Sequence, residues 1–186
     1  MELKGERLIP AAAERTWAAL NDPAILKACI AGCEQLEAAG DNAFTAVLAV
    51  RIGPVNARFR GNLTLTDIVA PTRYTIHFEG QGGVAGFGKG SAQVTLAPEG
   101  AGQTRLGYSA QAQVGGKIAQ VGSRLVDAAA AKVAGDFFDA FEARLRSEGE
   151  AAAPPVPAAR APGLPTWLWV IGAGVLLLLA WYLLLR

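Results

Sequence analysis

The sequence predicts an α+β fold in which a curved antiparallel sheet is covered by one long C-terminal helix, followed by a single C-terminal transmembrane helix. Three observations predict it. Between residues 33 and 114 the chain alternates apolar and polar residues in segments separated by short turns, the pattern of half-buried strands. From about Lys117 to Arg146 apolar residues recur at helical spacing. From Trp167 to Leu185 the chain carries no charged residue at all.

The elements follow in order. Glu2–Ile9 reads as a strand, closed by Pro10. A helix is predicted over about Ala12–Leu20, stopped by Asn21-Asp22-Pro23, and a second over Pro23–Cys29. Ile30-Ala31-Gly32 turns the chain into a strand over Cys33–Ala38. Phe44–Ile52 alternates until Gly53-Pro54 breaks it. Asn56–Val69 puts Ala57, Phe59, Gly61, Leu63 and Leu65 on one face, with Arg58, Arg60, Asn62, Thr64 and Thr66 on the other. Strands over Arg73–Gly80, Gly86–Ala97 and Thr104–Val114 complete the sheet. Connections this short imply antiparallel pairing. In the closing helix, Val121, Leu125, Ala128/Ala129, Lys132/Val133, Phe137/Phe138, Phe141 and Leu145 form the apolar stripe. Gly122 inside it is expected to cost about 1 kcal/mol against alanine.

Residues 1–147 therefore suit one domain. Residues 148–166 contain five prolines and many alanines, the composition of an extended, semi-rigid linker. Residues 167–185 would span roughly 28 Å as a helix at 1.5 Å per residue, close to the apolar thickness of a bilayer. Trp167 and Trp169 at one end, with Trp181 and Tyr182 near the other, suit the two interfaces. The opening residues lack the basic and apolar regions of a signal peptide. The expected location is the cell inner membrane, crossed once, with the domain facing the cytoplasm. Arg144, Arg146 and Arg160 on the domain side, against Arg186 beyond the span, agree with that orientation.

Several function classes recede on composition. A net charge of +1 provides no basic field for nucleic acid. Two cysteines, Cys29 and Cys33, and the single His77 lack zinc-site spacing, and the cysteines read as small buried residues. The run from Gly80 to Gly90 is glycine-rich but lacks the Gly-Lys-Ser/Thr of a phosphate loop and joins two strands. His77 alternates outward, with no nucleophile beside it, and no catalytic residue is identified.

Strand parity assigns Ala46, Leu48, Phe59, Leu63, Tyr74, Ile76, Phe78, Leu106 and Tyr108 to the inner face, opposite Leu125, Ala129 and Val133. Many residues between them are glycine or alanine. Small side chains between a sheet and a helix leave either a close-packed interior or an apolar cavity for a greasy ligand. On the second alternative the candidate lining is Phe59, Tyr74, Phe78, Phe87, Tyr108, Leu125, Ala129 and Val133.

Motifs along the whole domain carry a resemblance. Ile9-Pro10-Ala11-Ala12-Ala13-Glu14-Arg15-Thr16-Trp17, Leu20-Asn21-Asp22-Pro23 and Ile30-Ala31-Gly32-Cys33-Glu34 resemble the opening of the CoxG family, the G-type accessory subunits of carbon monoxide dehydrogenase. Gly53-Pro54-Val55, Gly86-Phe87-Gly88-Lys89-Gly90, the run Gly115–Leu125 and Phe137-Phe138 fit it too. Ala31 departs from the family, which commonly has proline before Gly-Cys. The resemblance implies a START-like, helix-grip fold of the SRPBCC superfamily and a non-enzymatic role. It implies a molybdenum-containing dehydrogenase as partner and a hydrophobic small molecule as ligand, with a non-covalent quinone, menaquinone or ubiquinone, the natural candidate. A recruitment scaffold without ligand, and a START-like enzyme, are the alternatives.

Overall fold

The computed structural model describes residues 1–100 and 102–152. The expected transmembrane helix, and the linker from residue 153 on, lie outside the described residues. Among those described, no helix is long and apolar enough to cross a membrane. Residues Met1–Ala151 form one compact unit.

The protein is α+β. Seven antiparallel strands are β1 (Glu2–Ile9), β2 (Cys33–Ala38), β3 (Ala43–Ile52), β4 (Val55–Val69), β5 (Arg73–Gln81), β6 (Phe87–Glu99) and β7 (Gln103–Gly115). They order as β1-β7-β6-β5-β4-β3-β2, so only β1 leaves chain order, pairing with β7. Between β1 and β2 lie helices α1 (Ala13–Leu20) and α2 (Pro23–Cys29). After β7 come α3 (Lys117–Gln120) and α4 (Ser123–Ala152).

Local chemistry explains the punctuation. Asp22 caps α2, its Oδ1 accepting from the amides of Ala24 and Ile25 at 2.8 and 3.4 Å, with Pro23 in the first turn. The expected single closing helix is two. Gly122 has φ +95°, a left-handed conformation that no helix interior accepts, and it separates α3 from α4. By residue type that glycine is a tolerated cost inside a helix; here it is the break. At its other end α4 continues to Ala152, into the segment expected to be linker.

The core sits towards one end of the sheet. Ile9, Tyr74, Val94, Leu96 and Leu106 meet Ala19, Leu20 and Cys29 from the short helices, and Phe138, Phe141 and Leu145 from α4. Phe141, Ile9, Leu106 and Leu145 are essentially sealed from solvent. Two buried hydroxyls are satisfied by one carbonyl: Thr104 Oγ1 donates to Ala11 O at 2.7 Å and Thr16 Oγ1 to the same atom at 3.4 Å. Arg15 Nη2 donates to Leu145 O at 3.0 Å, tying α1 to the C-terminal half of α4.

Candidate functional site

Register defines the inner face row by row. One row runs Phe44, Leu63, Phe78, Gly90, Ala112 across β3 to β7. The next runs Ala46, Gly61, Gly80, Gly88, Val114. Towards the core, Leu65, Ile76, Ala92, Ala110 and Leu3 form another. From β3 to β1 the only charged side chain in these inward positions is Arg7. Its Nη1 lies 3.4 Å from Asp139 Oδ1 and its guanidinium 5.7 Å from the Phe138 ring centre.

These inward rows are not sealed. Phe59, Leu63, Phe78, Gly80, Gly88 and Ala112 all face the concave side yet remain partly accessible. A Cβ built on Gly80 or Gly88 meets nothing closer than 3.6 or 3.9 Å, and those atoms belong to the neighbouring strands rather than to α4. The helix tells the same story. Val133 stands two turns beyond Val126 on nearly the same face. Val126 is 5% exposed and Val133 is 48% exposed. The C-terminal half of α4 is packed through Phe138, Phe141 and Leu145, while Val133 before it is half exposed.

The candidate residues therefore separate. Phe59 and Phe78 line the accessible rows. Tyr108 joins them at the edge of the core, its ring stacked on Phe138 at 5.1 Å. Ala129 is half-buried, and Leu125, 47% exposed, approaches Gly53 in the β3–β4 turn. Tyr74 is 4% exposed, deep in the core against the edge of Trp17 at 5.3 Å, and burial pushes its phenol well above its ordinary pKa. Phe87 does not join the set. Its register opposite Gln81, one residue from Gly88, puts it on the outer face, 39% exposed.

Three of these aromatic rings share a feature that local sequence did not reveal. Phe78 stands directly opposite Gly90 and Tyr108 opposite Gly5. The Phe59 ring covers Gly82 beyond the end of the β4–β5 pairing. A Cβ on Gly90 would come within 2.8 Å of the Phe78 ring, on Gly82 within 2.6 Å of Phe59, and on Gly5 within 2.7 Å of the Tyr108 hydroxyl. The rings lie down over glycines instead of standing into the concave space. Large side chains and free space coexist for that reason.

The outer face is different in chemistry. A depression of about 800 Å³ there is walled by Asn62, Thr64, His77, Glu79, Lys89 and Gln111, among others. A smaller one of about 350 Å³ lies beside Lys4, Glu6, Gln93 and Ser109. The larger is walled mainly by solvated polar side chains, with Phe78, Gly90 and Ala112 also at its wall, and the smaller also includes Gly5, Gly107 and Tyr108. His77 faces outward as its parity implied, Nε2 3.1 Å from Thr66 Oγ1. Cys29 is buried and Cys33 partly so, both free, with burial raising both thiol pKa values. No cluster of metal-ligating side chains occurs among the described residues.

The fold has known counterparts. A conserved protein from Geobacillus kaustophilus is 31% identical, with TM-score 0.75 over 80% of this chain and 97% of that one. The Zhui aromatase/cyclase from Streptomyces sp. R1128 is 14% identical, with TM-score 0.64 over 82% and 98%. A START superfamily protein from Mycobacterium smegmatis is also 14% identical, with TM-score 0.60 over 79% and 98%. These last two show a START-like fold. No curated protein matches the chain. The model of the carbon monoxide dehydrogenase CoxG family matches residues 5–146, nearly the whole described domain, and the chain belongs to that family.

Proposed function

We propose that this chain is a membrane-anchored accessory protein that binds a hydrophobic ligand, a quinone, and recruits a molybdenum-containing dehydrogenase to the membrane. One observation carries the ligand part: apolar, inward-facing rows around Gly80 and Gly88 stay partly accessible. Accessible apolar surface on a concave face is stabilised by an apolar occupant, at about 25 cal/mol per Å² buried. Arg7 and the Tyr108 hydroxyl are polar groups at the core edge of that surface, suited to a quinone carbonyl. The partner follows from the family name. The membrane part of the reading is supported by the uncharged segment 167–185, and the cytoplasmic side of the domain by Arg144, Arg146 and Arg160 against Arg186. On this reading the chain performs no chemistry of its own.

Ala129→Trp tests the carrier role against pure recruitment. The indole would fill space beside the open rows. Titration of the full chain in detergent with short-chain ubiquinone and menaquinone should show saturable binding, weakened at least tenfold in the variant. Dehydrogenase co-sedimentation with membranes should be unchanged. Absence of saturable binding in the unmodified chain would leave recruitment as the whole function.

A further inference from the structure

We propose that the end of the domain formed by the β3–β4, β5–β6 and β7–α3 turns docks on an anionic lipid surface. These turns lie at the same end of the sheet and touch one another. A Cβ on Gly116 would sit 2.5 Å from Gly86 Cα, so the second and third turns meet backbone to backbone. The side chain of Leu125, just past Gly122, approaches Gly53 of the first.

This end exposes large apolar side chains at a water-facing rim, as the β4–β5 end does at Ile68 and Val69. Val84, at the apex of the 3-10 turn Gly83–Ala85, is 84% exposed, Leu125 47% and Phe87 39%. Around them, residues 51–56, 82–89 and 115–127 contain four cations, Arg51, Lys89, Lys117 and Arg124, and one carboxylate, Asp127. None of the four cations makes an ion pair among the described residues, a property they share with Lys4, Lys27, Arg60 and Arg73, whereas Arg7, Arg15, Arg58, Arg105, Lys132, Arg144 and Arg146 are all paired. The turns and strand ends opposite carry Asp41, Asp67 and Glu99 together with Arg73 and Arg105, the last paired with Glu99. Apolar side chains on the same turns as unpaired cations, with Glu79 opposite Lys89 the nearest strand carboxylate, are complementary to a bilayer surface, where the apolar groups enter the acyl boundary and the cations meet anionic headgroups. A protein partner would more often be met by apolar area in one patch than by separate single residues.

The geometry also explains why this end. The Phe59 ring lies against Gly82 at the base of the β5–β6 turn, so the candidate lining reaches this end. This part rests on the ligand reading: a hydrophobic molecule leaving the bilayer at this rim would reach the inner face without crossing water.

Hydrogen exchange on the full chain tests the inference. The chain is reconstituted into vesicles of phosphatidylcholine alone, and into vesicles of phosphatidylcholine with an equal part of phosphatidylglycerol. Amides of 82–87 and 117–125 should exchange at least fivefold more slowly in the anionic vesicles, and the protection should fade at high salt. Lys117→Glu with Arg124→Glu should abolish it, as should Val84→Ser in part. Lys27→Glu with Arg73→Glu, the same charge change elsewhere, should not. Equal exchange in both vesicles, or equal loss in the control variant, overturns the docking surface. Quinone titration in detergent is independent of docking, so a chain that binds quinone without vesicle protection refutes this inference alone.

Discussion

Gly88→Leu separates an open interior from a packed one by the sign of its effect. A Cβ at Gly88 meets only Val114 Cγ1, at 3.9 Å. If α4 leaves that row open, the leucine enters free space and its strand gains about 0.5–1 kcal/mol from losing glycine's backbone freedom. If the row is packed, overfilling costs about 1–3 kcal/mol. The expected change in unfolding free energy is therefore between zero and about 1 kcal/mol stabilising. The ligand should feel the opposite. Four added carbons displace at least two methylene groups of an apolar molecule lying there. At about 0.8 kcal/mol each this is about 1.6 kcal/mol, a roughly fifteen-fold weaker Kd. Gly90→Leu, one inward position along, is the contrast, since its Cβ would strike the Phe78 ring and the Gln111 carbonyl. That variant should lose about 1–3 kcal/mol or more. Urea unfolding followed by circular dichroism, with quinone titration on the same samples, reads both quantities. A Gly88→Leu chain destabilised by roughly 1 kcal/mol or more, the lower end of the overpacking range, would refute the open row. A stable variant with unaltered Kd would place the ligand elsewhere.

Other expectations concern the frame. Phe141→Ala, at a fully buried position stacked on Phe137 at 5.7 Å, should cost about 3–5 kcal/mol by urea unfolding. Thr104→Val removes the 2.7 Å donor to Ala11 O and should cost about 1–2 kcal/mol, visible as a lower Tm with the strands intact. Stability should hold up to about pH 9 and fall above it. Burial raises the pKa values of Cys29, Cys33 and Tyr74 in the folded chain, so the unfolded chain loses those protons first as pH rises and gains relative stability. Thermal melts from about pH 7 to about pH 11 would show this, and Tyr74→Phe should flatten the upper part of the decline.

Much of the frame was legible because the pleat has a short, strict period. The alternation in Val55–Val69 alone assigns the inner and outer faces of β4, and the register agrees. Phe87 failed the same reasoning because it follows a 3-10 turn, where parity cannot be carried over from the strand before. Residue type alone makes Gly122 a cost inside a helix, but its effect depends on φ, which tertiary packing sets. The pairing of Phe78 with Gly90 and Tyr108 with Gly5 joins residues 12 and 103 positions apart, so no local window contains both partners. The set of unpaired cations at one end is invisible in sequence for a related reason. Net charge counts Arg51, Lys117 and Arg124 alongside Arg105, but only the fold shows which of them meet a carboxylate.

The most direct test of the central claim is native mass spectrometry of the full chain released from its own membranes. The expected result is a population carrying one additional mass that dissociates as an intact quinone and is depleted in Gly88→Leu. A chain that emerges bare, and takes up neither ubiquinone nor menaquinone on titration, would contradict the claim.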